Sequence, residues 1–321
     1  MVYSLFLLII GFVCLVKGAD FFVSGSSAIA RYFKIPSFII GLTIVAFGTS
    51  LPEAAVSITA AMREANGIAV GNVLGSNIFN LLMVLGISAI IKSCPVSKAG
   101  LKFEYPLSIV AAAMIIVLSA GTGSGTLILS RADGIIILAV FVIFLIVTVR
   151  SVISSKNKSN NEISDIKNEE DISLLKGFIY SIIGIAGIII GGDVVVDSAT
   201  VIAQSFGIDE TLIGLTIVAM GTSLPELVTS IVAALKGETD IAIGNVIGSN
   251  IFNILFVLGV SVIINPIEVS LFSIYDAAIL VIISLIVLIP MVKNKALTRS
   301  WGFIMVLMYA AYLYYIITRS M

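Results

Sequence analysis

Two carboxylates stand out by position. Of the 19 acidic residues in the 321-residue chain, Glu53 and Glu226 fall deep inside long apolar runs, and each closes the same hexapeptide, GTSLPE. A proline precedes each of them. Proline has no backbone N–H and clashes with the carbonyl four residues back, so Pro52 and Pro225 are expected to break or kink their runs. The neighbouring Gly48 and Gly221 are expected to loosen the same turns. Carbonyls freed near Ala46, Thr49, Ala219 and Thr222 then need partners. Carbonyl oxygens aimed into a cavity beside a carboxylate are ligands for a hard cation. A second motif adds neutral oxygens. Ser76 and Asn80 are four apart on one helix face, as are Ser249 and Asn253, and all four are read as ligands. Asn77 and Asn250 lie one position round, where packing and ligation are equally reasonable roles. The chain has no histidine, and its two cysteines, Cys14 and Cys94, are far apart. Every donor on offer is therefore oxygen, which suits Ca²⁺ or Na⁺. Mg²⁺ dehydrates reluctantly and ranks lower, and soft transition metals are excluded.

The elements that carry these groups must cross a bilayer. Fifty-nine per cent of the residues are hydrophobic and 12% charged, against about 25% charged in soluble domains. Breaks between apolar runs mark ten spans, near 2–30, 38–62, 68–91, 104–121, 132–152, 173–204, 210–235, 241–264, 272–291 and 299–318. The expected fold is thus an all-α integral membrane protein. The first run has no basic leader before it and is read as a span, not a signal peptide. Residues 153–172 are polar and aperiodic, and are read as a solvated linker. Their acidic cluster, Glu162, Asp165, Glu169, Glu170 and Asp171, lacks the glycine-punctuated loop of an EF-hand calcium site. With the N-terminus outside, inner loops hold 14 of the 18 Lys and Arg residues and outer loops 3. Both termini are therefore expected outside, with the linker in the cytoplasm and the protein in the cell membrane. Asp20 and Asp193 are intramembrane but nearer an interface, and Lys17 is expected to pair with Asp20. A net charge of −1 offers nothing to a nucleic acid. No cofactor and no obligatory protein partner are indicated, only the bilayer and the ions.

The chain is also duplicated. Residues 41–53, GLTIVAFGTSLPE, match 214–226 at 12 of 13 positions, and 71–80, GNVLGSNIFN, match 244–253 at nine of 10, both at an offset of 173. Residues 1–152 and 173–321 are thus one five-helix unit used twice. Five is odd, so the second copy must enter the membrane from the opposite side, which is the inverted-repeat plan of many secondary transporters. Glu53 and Glu226 are then related by a pseudo-two-fold axis and should meet near the midplane. Each buried charge costs about 2.5–3.5 kcal/mol on insertion scales, and a bound cation relieves their repulsion.

The paired GTSLPE and GNV(L/I)GSNIFN motifs closely resemble the sodium/calcium exchanger family, of the ten-helix prokaryotic type within the cation/calcium antiporter superfamily. The resemblance covers the whole chain except the linker. It implies that spans 2, 3, 7 and 8 form a core past which the long spans 1 and 6 slide. It implies that Glu53 and Glu226 are shared between Ca²⁺ and Na⁺, with the carbonyls of Thr49 and Thr222 joining them on Ca²⁺. It assigns Ala46, Ser50 and Ser249 to sodium on one side and Ala219, Ser223 and Ser76 on the other, with Asn80 and Asn253 lining the middle. Some relatives, notably potassium-cotransporting ones, carry aspartate at the position of Asn253, so asparagine here argues against potassium coupling. The implied function is secondary antiport of 3 Na⁺ for 1 Ca²⁺ by alternating access, without enzymatic chemistry. The nearest rival is proton/calcium antiport through the same glutamates. Proton-coupled relatives usually carry a GNxxE-like motif in place of GTSLPE. A channel or calcium-sensing scaffold fits the interrupted spans and paired carboxylates less well.

Overall fold

The structure is a computed structural model that describes residues 2–33, 35–96, 98–120, 127–159, 174–206 and 219–320. Its helices are α1 (Val2–Phe33), α2 (Ser37–Thr49), α3 (Leu51–Met62), α4 (Asn66–Ile91), α5 (Glu104–Ser119), α6 (Arg131–Ser159), α7 (Leu174–Ser205), α8 (Leu224–Lys236), α9 (Thr239–Ile264), α10 (Leu271–Asn294) and α11 (Arg299–Ser320). Eight of them are long and apolar enough to span a bilayer, and α2 with α3, bent by 50°, makes a ninth among the described residues. The first part of the expected span 210–235 lies outside the described residues, as does 160–172 of the expected linker. Residues 153–159 are helical and prolong α6 instead of opening the linker. Extending a formed helix fixes one residue per added hydrogen bond, so polar composition alone does not stop it.

Short antiparallel strand pairs tie loops together at the helix ends. Strand β1 (Cys94–Pro95) pairs with β4 (Ala296–Leu297), and β2 (Ile128–Leu129) with β3 (Ile267–Glu268). The most buried spans are α4 and α9, with 72% and 78% of their apolar windows inside the protein, against about a third or less for the other straight spans. That contrast makes α4 and α9 the centre of the molecule. Gly244 and Gly248 of α9 let α2 approach closely: a Cβ at Gly248 would sit 2.2 Å from the Leu42 carbonyl. Gly244 and Gly248 thus serve helix packing, whereas a Cβ at their counterparts Gly71 and Gly75 would meet nothing within 4 Å.

The two longest helices, α1 and α7, pair with each other along their length. Their seam is glycine at every seventh residue. Gly11 faces Gly191, Gly18 faces Gly184 and Gly25 faces Gly177, counting up one antiparallel helix and down the other. Seven residues are nearly two turns, so the three glycines of each helix share one face. A Cβ at Gly18 would lie 2.7 Å from the Ile188 nitrogen, and one at Gly184 2.5 Å from the Phe22 nitrogen. The backbones themselves are in contact.

Near the chain end, Arg319 grips Asp276 through both guanidinium nitrogens, each at 2.7 Å. It also lies over the rings of Phe272 and Tyr315. Both partners are largely buried. Replacing Arg319 by Leu strands a buried carboxylate, and such losses typically cost about 3–5 kcal/mol. Thermal unfolding in detergent should show a clear drop for Arg319→Leu, with Asp276→Asn recovering part of it in the double variant.

Candidate functional site

The break between α2 and α3 falls at Ser50, whose backbone (φ −87°, ψ 10°) leaves the helical region. Pro52 then sits at the second position of α3, where its missing N–H has no partner to lose. The second copy behaves alike. A helical turn at Ala219–Gly221 ends in a turn at Thr222 and Ser223, and α8 restarts at Leu224 with Pro225 second. The glycines before the breaks also make room for a neighbouring helix. A Cβ at Gly48 would meet Ile185 at 2.4 Å, and one at Gly221 would meet Val196 at 2.3 Å. Both residues belong to α7, so these glycines admit α7 close to the two breaks.

Glu53 and Glu226 occupy the first turns of α3 and α8 and are fully buried. A helix N-terminus favours a negative charge, which explains why the chain restarts a helix immediately before each carboxylate. The two copies then hold each other's carboxylates. The Ser50 hydroxyl donates to Glu226 Oε1 at 2.6 Å, and the Ser223 hydroxyl donates to Glu53 Oε1 at 2.8 Å. Ser249 Oγ lies 3.4 Å from Glu226 Oε1 and 3.5 Å from the Ala46 carbonyl. The matching contacts of Ser76 are not made; its hydroxyl is buried without a hydrogen-bond partner among the described residues.

Asn77 and Asn250 pack the centre. Each donates its amide to the other's backbone carbonyl at 3.2 Å. Asn253 donates to the Asn77 side-chain oxygen at 3.3 Å. Beyond Asn80 and through Asn253 the helices widen into π turns, Asn80–Val84 and Phe252–Leu258. Such turns shift carbonyl register and occur mainly at functional positions. They were not expected from spacing, because in a run that is apolar on nearly every face a shift of about 100° leaves no mark on the hydrophobic pattern.

What remains is a set of buried oxygens with nothing to bind. Among the described residues, Glu53 Oε2, Glu226 Oε2, Ser76 Oγ, Asn80 Oδ1 and Asn253 Oδ1 have no hydrogen-bond partner. Buried polar groups are almost always satisfied, and an unpaired buried acceptor costs about 1–3 kcal/mol, more when charged. An oxygen-only cluster with two carboxylates is the donor chemistry of a hard cation. Of the other expected ligands, Ala46, Thr49, Ser50 and Ser223 are buried and Thr222 is half-buried at the second break. Ala219 opens the helical turn before it. The structure therefore gathers both motifs of both copies at one buried centre.

Four residues at this centre were missed in the sequence. Asn72 donates to the Glu53 carbonyl at 3.2 Å and to Ser57 at 2.9 Å, and accepts from Thr222 of the other copy at 3.4 Å. Asn245 repeats the pattern: it donates to the Glu226 carbonyl at 3.5 Å and to Ser230 at 2.9 Å, and accepts from Thr49 at 3.1 Å. Both asparagines lie inside the repeated GNV motif, and Ser57 and Ser230 stand four residues beyond the glutamates at the same offset. That shared offset was the available signal. Each asparagine links the glutamate of one copy to the threonine of the other. Asn245→Ala should weaken calcium-dependent uptake on the order of tenfold in apparent affinity, the loss expected when buried partners are left unpaired. The concentration dependence of uptake measures it.

A model of sodium/calcium exchanger proteins matches residues 3–150 and 176–318. The chain belongs to the sodium/calcium exchanger family. It is 32% identical over 338 residues to sodium/calcium exchanger MaX1 of Methanosarcina acetivorans, covering 96% of each chain. It is 40% identical over 286 residues to the inner membrane protein YrbG of Escherichia coli, covering 87% of this chain and 86% of that one. Among solved structures it superposes on the sodium-calcium exchanger NCX_Mj with a TM-score of 0.81 at 34% identity, over 99% of both chains. The exchanger is thus a multi-pass membrane antiporter, and its paired GTSLPE breaks stand at the centre of a fold shared with a solved family member.

Proposed function

We propose that the protein exchanges Na⁺ for Ca²⁺ by alternating access, with a stoichiometry of 3 Na⁺ to 1 Ca²⁺. The reciprocal bonds Ser50–Glu226 and Ser223–Glu53 carry this reading, because they bring both carboxylates to one centre with an oxygen of each still unsatisfied. Ca²⁺ takes Glu53, Glu226 and the carbonyls of Thr49 and Thr222. Na⁺ uses the same glutamates with Ala46, Ser50 and Ser249 on one side, and Ala219, Ser223 and Ser76 on the other. Asn80 and Asn253 line the middle. Both loads need both carboxylates, so each excludes the other, and that exclusion couples their movements. Ca²⁺ neutralises two glutamates. Three Na⁺ leave one positive charge, so each cycle works with or against about 2.3 kcal/mol per 100 mV.

The ten-span inverted arrangement, 1–152 and 173–321 about a cytoplasmic linker, is supported by which loops meet. Arg31 with Glu238, Arg299 with the Ile91 carbonyl, and β1 with β4 belong to one side. Asn265 with Asn66, Arg131 with the Ile263 carbonyl, and β2 with β3 belong to the other. Every one of these contacts agrees with strict alternation of ten spans; that both termini lie outside, with the protein in the cell membrane, follows from the Lys and Arg bias of the loops. Purified protein in vesicles loaded with sodium should take up radioactive calcium, faster when the interior is made positive. Each exchange takes two charges in and three out, so a positive interior drives the net outward charge and a negative interior slows uptake. Uptake driven only by a pH gradient would replace sodium with protons.

A further inference from the structure

At one end of the molecule α1 is tied to α8 by an ion pair that uses every donor of a lysine. Lys236 Nζ meets Asp20 Oδ1 at 2.7 Å, the Asp20 carbonyl at 2.8 Å and Ser24 Oγ at 2.6 Å. This overturns the expected Lys17–Asp20 pair: Lys17 is exposed, and Asp20 reaches across to another helix instead. The repeat offset of 173 maps Asp20 to Asp193, Ser24 to Asp197 and Lys236 to Arg63. The second copy thus carries the same charge pattern, with an additional carboxylate in place of the serine. Yet among the described residues no ion pair joins Asp193 or Asp197 to Arg63.

Packing shows the same difference. Leu15, Ala19, Phe22 and Val23 of α1 share a core cluster with Val232 and Ala233 of α8, with Leu224 and Val228 packed against it. The equivalent helices α7 and α3 scarcely touch. On α3, Leu51 is 47% and Val56 36% exposed, whereas Thr229, the counterpart of Val56, is fully buried. One copy is closed and latched where the other is open and unlatched, although both have the residues for closure.

We infer that Asp20–Lys236 and Asp193/Asp197–Arg63 are two alternately closed latches, one at each end of the molecule. In the opposite conformation α7 lies along α3 with both aspartates on Arg63, and α1 leaves α8 with Lys236 released. The inference rests on the alternating-access reading above. Exchanging one set of ion pairs for another while packed helices move as a body is a common form of two-state transition. The α1–α7 seam makes the two latches exclusive: helices packed backbone to backbone move together, so closing on α3 opens α8.

The test uses two cysteine pairs in a Cys14→Ala background. Cys94 can remain, because burial and nearby Asp240 push its thiol up to about 12, leaving almost no reactive thiolate. Asp20→Cys with Lys236→Cys should be captured by a short bifunctional thiol reagent in the conformation described. Arg63→Cys with Asp193→Cys should be captured once Na⁺ and Ca²⁺ are supplied on both sides, and each cross-link should stop exchange. Single variants give a second reading. An ion that binds only one conformation shows an affinity scaled by that conformation's population. Lys236→Gln and Arg63→Gln should therefore shift the calcium concentration for half-maximal uptake, measured from one side, in opposite directions by about two- to fivefold. Capture of the Asp20–Lys236 positions alone under all ion conditions would overturn the latches, as would shifts of the same sign. If the parent protein moves no calcium, the function reading fails, and the capture pattern still decides whether the second latch ever closes.

Discussion

Glu53→Gln and Glu226→Gln should each lower sodium-dependent calcium exchange by about a hundredfold or more. Glutamine has nearly the shape of glutamate, and its carbonyl oxygen can still accept from Ser223 or Ser50. The substitution therefore keeps the reciprocal bonds at 2.8 and 2.6 Å and removes one negative charge. With one carboxylate left, Ca²⁺ brings an uncompensated positive charge into a buried centre, and the sodium load loses a ligand on the same atoms. Both half-reactions should fail together. The two variants should be equally damaged, because each glutamate is held by the other copy in the same way. Initial rates of radioactive calcium uptake read the effect, and normal unfolding temperatures would show that the fold survives. A variant retaining a tenth of parental exchange would mean that the carboxylates are not jointly required.

The second large effect concerns a single methyl group. Alanine favours a helix over glycine by about 1 kcal/mol in exposed positions, so propensity alone predicts that Gly184→Ala and Gly177→Ala both stabilise α7. The seam predicts otherwise for one of them. At Gly184 the new Cβ lies 2.5 Å from the Phe22 nitrogen and 2.8 Å from the Gly18 carbonyl, where only backbone movement relieves the clash. At Gly177 the nearest atoms are at 3.4 Å, and one of them is a side-chain methyl. Gly184→Ala should therefore lower stability by about 1–3 kcal/mol and strongly slow exchange, because α1 and α7 no longer fit. Gly177→Ala should be nearly silent. Thermal unfolding and calcium uptake on the same preparations distinguish them, and equal behaviour would remove the seam from the account.

Much of this arrangement was legible in the residues. Long apolar runs announce spans because a bilayer leaves no other option for the backbone, and duplicated GTSLPE motifs announce a two-fold centre because both copies keep polar groups at the same depth. Glu53, Glu226 and Ser249 come together as their spacing implied, and Ser50 and Ser223 join them as the family resemblance implied. Other features escaped for identifiable reasons. Asn72 and Asn245 lie in a repeated motif, but side chains nearly 20 residues from the glutamates show their target only after two helices pack. Lys17 was paired with Asp20 by helical proximity, and a better partner on α8 won by offering three contacts instead of one. The glycine seam was visible as a period of seven on each helix. Its meaning depends on the two helices lying antiparallel, which the period alone does not dictate. The difference between the Lys236 and Arg63 ends was not legible in the sequence, because both copies carry an aspartate and a basic partner there, with Asp197 in place of Ser24.

The central claim is one buried centre shared by both ions. Equilibrium binding of radioactive calcium to the purified protein, titrated with sodium, tests it most directly. The account predicts one Ca²⁺ per chain, displaced by Na⁺ along a curve steeper than one-for-one, with binding lost in both Glu53→Gln and Glu226→Gln. Calcium that stays bound at saturating sodium, or that binds equally well without either glutamate, would contradict it.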